Sequence, residues 1–185
     1  MRGFPILLAS AQSDGTALAN TTTGASIIPA SAKYTILPND CPKRMRVEAS
    51  GRISHTASAA ITFEFRLGPT SNIIVATSPA FALNATGKTN VTWRLYWDFV
   101  LRSIGASTSA TLLHTGGWSS EAVVGSAVPA SGGVGTLLIP ATAPAVGTGF
   151  DSTVANIADL QADWAGANAS NTIQLHTYDL WDLGP

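Results

Sequence analysis

The sequence predicts an all-β protein: a jelly-roll-like antiparallel β-sandwich of about eight strands with an extended N-terminal arm. Three observations lead to this fold class. Apolar and polar residues alternate with a period of two through much of residues 44–185, and no segment has a helical period of useful length. Only 11% of the 185 residues are charged, against about 25% in typical soluble domains, so Ser, Thr, Asn and Gly supply much of the polarity.

The clearest strands lie in the first half of the predicted sandwich domain, residues 44–185. Residues 44–53 and 60–67 alternate between apolar and polar side chains, and a short strand over 72–76 follows the Gly68-Pro69 turn. The longest predicted strand covers 91–104, where six apolar residues alternate with mainly polar ones. The residues predicted to face inward there are Val91, Trp93, Leu95, Trp97, Phe99 and Leu101.

Four more strands are predicted toward the C-terminus. In one of them the alternation places Ala158, Leu160, Ala162 and Trp164 inward, and Asp159, Gln161 and Asp163 outward. Long connections between the strands favour a Greek-key arrangement over a simple meander, and strand length favours a jelly roll over an immunoglobulin-like sandwich. These four strands are 109–118, 135–140, 156–164 and 172–183.

The first 43 residues have a different composition, with small polar residues and prolines between short extended pieces. Two interpretations are equally compatible with this pattern. The segment 1–43 is either an arm laid over the sandwich or over a neighbouring subunit, or it supplies extra edge strands to the same domain.

Charge and cysteine content restrict the class of partner. The net charge is −1 with no basic patch, so we expect no nucleic-acid partner. Cys41 is the single cysteine, which excludes an internal disulfide and a Cys-cluster metal site. No apolar stretch reaches the length of a membrane span, and the run 4–9 is too short for the core of a signal peptide, so we expect no membrane association.

Catalytic patterns are absent from the sequence, and we expect neither enzymatic activity nor a cofactor. The histidines His55, His114 and His176 lie on or beside different strands without metal-ligand spacing. There is no Gly-x-Ser-x-Gly elbow, and the segment 147–152 lacks the lysine and the spacing of a phosphate loop. Tryptophans on alternating strand positions could bind sugars, although core packing is the more common role.

The stretch GTLLIPATAPAVGTGFDST, residues 135–153, is interpreted as a structural crossover. Its prolines stop ladder pairing, and Gly147 and Gly149 permit the positive φ angles that a tight reversal can need. Phe150 can anchor the loop in the core of its own sandwich or at a subunit seam, of which the seam is favoured, and Asp151 can cap the backbone that follows it. The residues predicted for a subunit interface are Phe150, Asp151, Trp118 and Trp181.

Several stretches together resemble a family of structural proteins from the virions of tailed bacteriophages. The most specific are LLIPATAPAVGTGFDST and ANASNTIQLH. The others are LLASAQSDGTALANTTTGASIIPASAKYTI, RISHTASAAITFEFRLG and TGKTNVTWRL, so the resemblance covers nearly the whole chain.

The resemblance implies a jelly-roll cement or decoration protein on the capsid surface of the virion. Its implied partners are the major capsid protein and copies of itself, in a homotrimer, and no catalytic residues carry over. One alternative is a tail, baseplate or head-fibre component with a carbohydrate-binding β-sandwich. Another is a glycan lyase or hydrolase, which the scarcity of Glu and His disfavours.

Overall fold

The protein is described by a computed structural model over residues 4–123, 135–140 and 146–184. Two antiparallel sheets pack into a sandwich, which confirms the predicted all-β class. All eight strands predicted after residue 43 are present, and the described residues contain five further strands of two to five residues. The strands are β1 (Ile6–Ser10), β2 (Leu18–Ala19), β3 (Ala25–Ser26), β4 (Tyr34–Ile36), β5 (Arg44–His55), β6 (Ala60–Leu67), β7 (Ile73–Thr77), β8 (Phe81–Ala82), β9 (Lys88–Ser103), β10 (Thr111–Ser120), β11 (Gly135–Ile139), β12 (Asn156–Trp164) and β13 (Thr172–Asp182).

The larger sheet has the order β1-β13-β5-β9-β10-β11, and β2 also pairs with β13. The smaller sheet has the order β3-β12-β6-β7, and β4 and β8 pair with β12 and β6. Consecutive strands β5 and β6 lie in opposite sheets, where they pair with β13 and β12, so this part of the chain wraps around the sandwich as in a jelly roll. Other strands pair with their neighbours in the sequence: β6 pairs with β7, and β9, β10 and β11 form a meander.

Aromatic rings from both sheets meet in the core. Phe63 on β6 lies with its ring centroid 5.8 Å from the rings of Trp93 and Trp118 on the larger sheet. Phe65 stacks on Phe99 at 4.3 Å. These residues occupy the inward positions of alternating strands, so the period of two in the sequence corresponds directly to the two sides of each sheet.

The N-terminal segment belongs to the same sandwich. Strand β1 pairs with β13 at the edge of the larger sheet, while β3 and β4 pair with β12 in the smaller one. Of the two interpretations, therefore, the described residues 4–43 supply extra edge strands and a cover for their own domain. The cover also corrects the expectation for Asp159 and Gln161, which point away from the core but are buried beneath it.

The crossover stretch runs along the free side of β10. Strand β11 pairs with residues 116–120 of β10, and isolated bridges then join Leu113 to Val146 and Ala110 to Phe150. Residues 141–145 lie outside the described residues. The chain therefore returns to the same edge after the interruption, and this second approach lies within its own subunit.

The two glycines of this stretch are needed for a reason other than the expected one. Neither has a positive φ angle. A Cβ atom on Gly147 would lie 1.9 Å from the carbonyl oxygen of Val75, and one on Gly149 would lie 2.0 Å from that of Thr108. Both glycines therefore permit a close approach between backbones, which no other residue allows.

Candidate functional site

The outer face of the larger sheet is open, and its side chains form regular rows across the strands. Residues directly opposite one another on β13, β5, β9 and β10 define each row. The tyrosine row consists of Asp179, Glu48, Tyr96 and Gly117. The arginine row beside it consists of Thr177, Ser50, Arg94 and Ser119.

A groove of about 330 Å³, which we call the open groove, lies between these two rows. Tyr96 forms one wall, and 48% of its surface is exposed. Its ring lies against the backbone of Gly117. A Cβ atom added to that glycine would be 2.8–2.9 Å from three atoms of the tyrosine side chain. Glycine at this position therefore allows the aromatic ring to lie close to the sheet.

Charged side chains of the open groove are incompletely paired. Among the described residues, neither the side chain of Arg94 nor that of Asp179 has a hydrogen-bond or ion-pair partner. Glu48 lies directly opposite Asp179, and its carboxylate is 3.8 Å from the guanidinium of Arg46. Like charges opposite one another on paired strands are unfavourable, so the groove holds carboxylates that a hydrogen-bond donor would stabilise.

Arg46 is committed to a different partner. It donates two hydrogen bonds to Asp98, from Nε at 2.6 Å and from Nη2 at 2.9 Å. The hydrogen bonding to Asp98 raises the pKa of Arg46, with the nearby carboxylates of Asp98 and Glu48 adding to the effect. This two-point pair occupies the guanidinium of Arg46 beside the groove, so Arg94 is the guanidinium that lines it.

A second cavity, of about 440 Å³, lies at one end of the sandwich where three loops meet. Hydrogen bonds from the backbone N–H of Asn39 to the carbonyl of Ser152 and from that of Ser152 to the carbonyl of Gly105 join the loops. Ile104 lies in its lining and is 72% exposed. Burial, together with the nearby carboxylates, raises the pKa of Cys41 in the lining to about 11, so its thiol is a poor nucleophile.

On the outer face of the smaller sheet, the N-terminal segment covers side chains of β12 and β6, while Ile74 and Thr77 of β7 are exposed. The carboxylate of Asp159 is fully buried there and accepts hydrogen bonds from Ser26 Oγ at 2.6 Å and from Lys33 Nζ and Gln161 Nε2 at 2.9 Å each. Two of the three donors belong to the covering segment. This buried carboxylate therefore joins the cover to the sheet.

Two of the four predicted interface residues require correction. Phe150 and Trp118 are fully buried in the core of their own chain, because the crossover returns to β10, so their side chains offer no surface to a neighbour. Asp151 lies at the surface and caps the next turn, as expected, accepting hydrogen bonds from the backbone N–H groups of Ser107 and Thr153. Its interface role and that of the partly exposed Trp181 stay predictions.

The histidines do not converge on a site. His114 Nδ1 accepts a hydrogen bond from Trp97 Nε1, and burial lowers the pKa of His114, so its imidazole is neutral. His176 pairs with Asp14 at 2.9 Å, and His55 bonds the carbonyl of Thr56. Within the described ranges, no group of three potential ligand side chains is placed to hold a metal ion.

Tyr96 and Arg94 are the site residues that the sequence prediction did not single out. Both occupy outward positions of the strand pattern in 91–104, where most neighbours are small or charged. A large aromatic residue in the polar phase of an alternating strand was the available signal. Nothing local indicated that Gly117, on the next strand, would hold its ring.

These features define the chain as a β-sandwich with one partly covered and one open outer face. The sequence matches no protein-family model and no curated protein. None of the described helices is long and apolar enough to cross a bilayer.

Proposed function

We propose that this chain is a structural protein of a tailed-phage virion, a cement or decoration protein that binds the capsid lattice and copies of itself at the capsid surface. The observation that carries the proposal is an apolar edge formed by Phe4, Ile6 and Leu7, all exposed. Two of these residues lie on β1, the last strand of the larger sheet, and no described strand pairs with its outer side. An exposed apolar edge strand favours pairing with another chain.

A second apolar surface supports association into a closed ring. It lies at the loop end of the sandwich, where Ile104 adjoins the 440 Å³ cavity. Because this surface differs from the apolar edge, a contact between the two would be head-to-tail, and such contacts form a ring such as a trimer when the rotation between subunits closes. The low charge of the chain suits surfaces shared with other subunits, and the proposed role is binding without catalysis.

The proposal is tested by measuring the mass of the purified chain by light scattering and its cosedimentation with capsids stripped of it. We expect a trimer that binds the stripped capsids. Ile6→Lys should weaken association because it places a charge on the apolar edge, whereas Thr136→Lys on strand β11 should leave it unchanged. A monomer that does not sediment with capsids would contradict the proposal.

A second candidate is a tail, baseplate or head-fibre component with a carbohydrate-binding sandwich. The open groove favours it, because an exposed tyrosine lies beside charged side chains without full pairing. Binding to a glycan without affinity for capsids would favour this candidate over the first.

A further inference from the structure

We infer that the open groove is a binding site for a neutral sugar ring of a glycan, with Tyr96 as its stacking platform and Arg94, Glu48 and Asp179 as its hydrogen-bonding groups. The inference rests on the second candidate function and supplies the site and the ligand class for it. It uses only the outer face of the larger sheet, so it is separable from association through the apolar edge.

The stacking platform follows from the position of Tyr96. Nearly half of its surface is exposed although the residue stands in the middle of a sheet face, between β5 and β10. Gly117 supports the ring from beneath and leaves no room for a larger residue. A sugar ring presents a face of C–H groups that packs against an aromatic face, and the hydroxyl group of tyrosine keeps the exposed ring hydrated in the absence of a ligand.

The polar groups complement sugar hydroxyls. A guanidinium only donates hydrogen bonds and a carboxylate only accepts them, whereas each sugar hydroxyl does both. Arg94 therefore serves as the donor, and Glu48 and Asp179 as the acceptors, on one patch of four adjacent strands. Hydroxyl donors would also relieve the repulsion between the two carboxylates, which lie opposite each other in register.

The balance of charge favours a neutral ligand. The groove is lined by two carboxylates, Glu48 and Asp179, and by one guanidinium, Arg94. The nearby guanidinium of Arg46 donates its hydrogen bonds to Asp98, whose charge balances it. The net negative charge of the groove disfavours uronic and sialic acids. A neutral hexose does not meet this repulsion.

The arginine row provides the space beside the platform. Ser50, Thr177 and Ser119 are all short, and the hydroxyl groups of the first two lie 2.6 Å apart. Short side chains here leave the groove open along its length next to Tyr96. A ring stacked on the tyrosine thus reaches Arg94 on one side and the carboxylates on the other.

Affinity electrophoresis of the full chain tests the site. Native gels would contain dextran, galactomannan, xyloglucan or arabinogalactan as neutral polysaccharides, and polygalacturonate as the acidic comparator. We expect retardation by at least one neutral polysaccharide, and we expect Tyr96→Ala to weaken this binding by about tenfold or more. Arg94→Gln should also weaken it, while Arg102→Gln, a matched exposed arginine at the loop end, should have no effect.

A second variant tests the geometry without removing a contacting group. Gly117→Ala places a methyl group where the tyrosine ring lies, so the ring must move and binding should weaken. Leu138→Ala, directly opposite Gly117 on β11, is the control and should bind as the unaltered chain does.

Four results would overturn the inference. These are no retardation by any neutral polysaccharide, retardation by polygalacturonate alone, unchanged binding of Tyr96→Ala, and loss of trimer or capsid association in Tyr96→Ala. The last result would identify the groove as a subunit contact. Failure of glycan binding with intact capsid association would remove this inference and leave the cement role standing.

Discussion

The outer face of the smaller sheet is covered over β12 by the N-terminal segment, whereas the outer face of the larger sheet is open to solvent. Both faces carry charged residues at alternating strand positions, yet Asp159 is fully buried on the first and Asp98 is partly exposed on the second. The difference arises from what lies above the sheet. A covered carboxylate holds the fold together, while an open face is free to bind a partner.

The strongest test of this comparison is removal of the buried carboxylate. Asp159→Ala leaves Lys33 and Ser26 without their acceptor beneath the cover. We expect the free energy of unfolding to fall by about 3–5 kcal/mol, the usual effect of breaking a buried ion pair. Urea unfolding followed by tryptophan fluorescence measures this change.

The matched variant on the open face is Asp98→Ala. Its partner Arg46 is partly solvated, so the loss should be about 1 kcal/mol or less. Equal losses in Asp98→Ala and Asp159→Ala would mean that the cover contributes nothing to the difference between the faces.

A substitution in the N-terminal segment that covers the smaller sheet is expected to have the next largest effect on stability. A Cβ atom on Gly15 would lie 1.8 Å from the carbonyl oxygen of Ile27, so Gly15→Ala must displace one of two backbone segments. We expect a loss of about 1–3 kcal/mol and faster hydrogen exchange over residues 18–36.

Gly166→Ala is the control for this substitution. An added Cβ atom at Gly166 meets nothing within 4 Å, so the exchange of residues 18–36 should be unchanged. Similar exchange in Gly15→Ala and in the unaltered chain would show that the cover tolerates the displacement.

Substitution of the groove tyrosine should affect stability much less. Tyr96→Ala removes cross-strand contacts on an open face, which are worth about 0.2–1 kcal/mol. Thermal unfolding should therefore change little, although glycan binding is expected to weaken. A loss as large as that in Asp159→Ala would mean that Tyr96 is a structural residue.

The smallest effect concerns Asp163 and depends on pH. Burial raises its pKa, and the nearby carboxylate of Glu64 raises it further. The folded state therefore binds this proton more tightly than the unfolded state, so its contribution to stability is present at low pH and is lost as the pH rises through the folded pKa.

Asp163→Asn should accordingly be slightly more stable than the unaltered chain at pH 7, and this advantage should disappear below about pH 3. Melting temperatures of both chains at pH 2.5 and pH 7 provide the comparison. An advantage that persists at the lower pH would point to a cause other than protonation of Asp163.

The strands could be predicted because alternation is a local property. Residues Ile61, Phe63 and Phe65 are all buried, as the pattern of 60–67 indicated. The same reasoning was incomplete for Asp159 and Gln161. Alternation with a period of two indicates on which side of the sheet a residue lies, but not whether another segment covers that side. The cover over that side comes from residues more than a hundred positions earlier in the chain.

The candidate site was less predictable because it, too, depends on contacts between residues far apart in the sequence. Tyr96 and Arg94 were assigned correctly to outward positions, but their grouping with Glu48 and Asp179 depends on the order and register of three strands. Phe150 lies in an irregular stretch, where no periodicity separates a core anchor from a surface contact. Its bridge to Ala110 settled that it packs within its own chain.

By itself, then, the sequence of this protein determined its β class, its main strands and the inward side of each, because side chains alternate along an extended backbone whatever its neighbours are. Only the tertiary structure decided which outward side is covered and which is open. That outcome depends on long-range pairing of β3 and β4 with β12, and on the close backbone contacts that Gly15 permits. Such contacts join residues far apart in the chain and leave no repeating pattern in it.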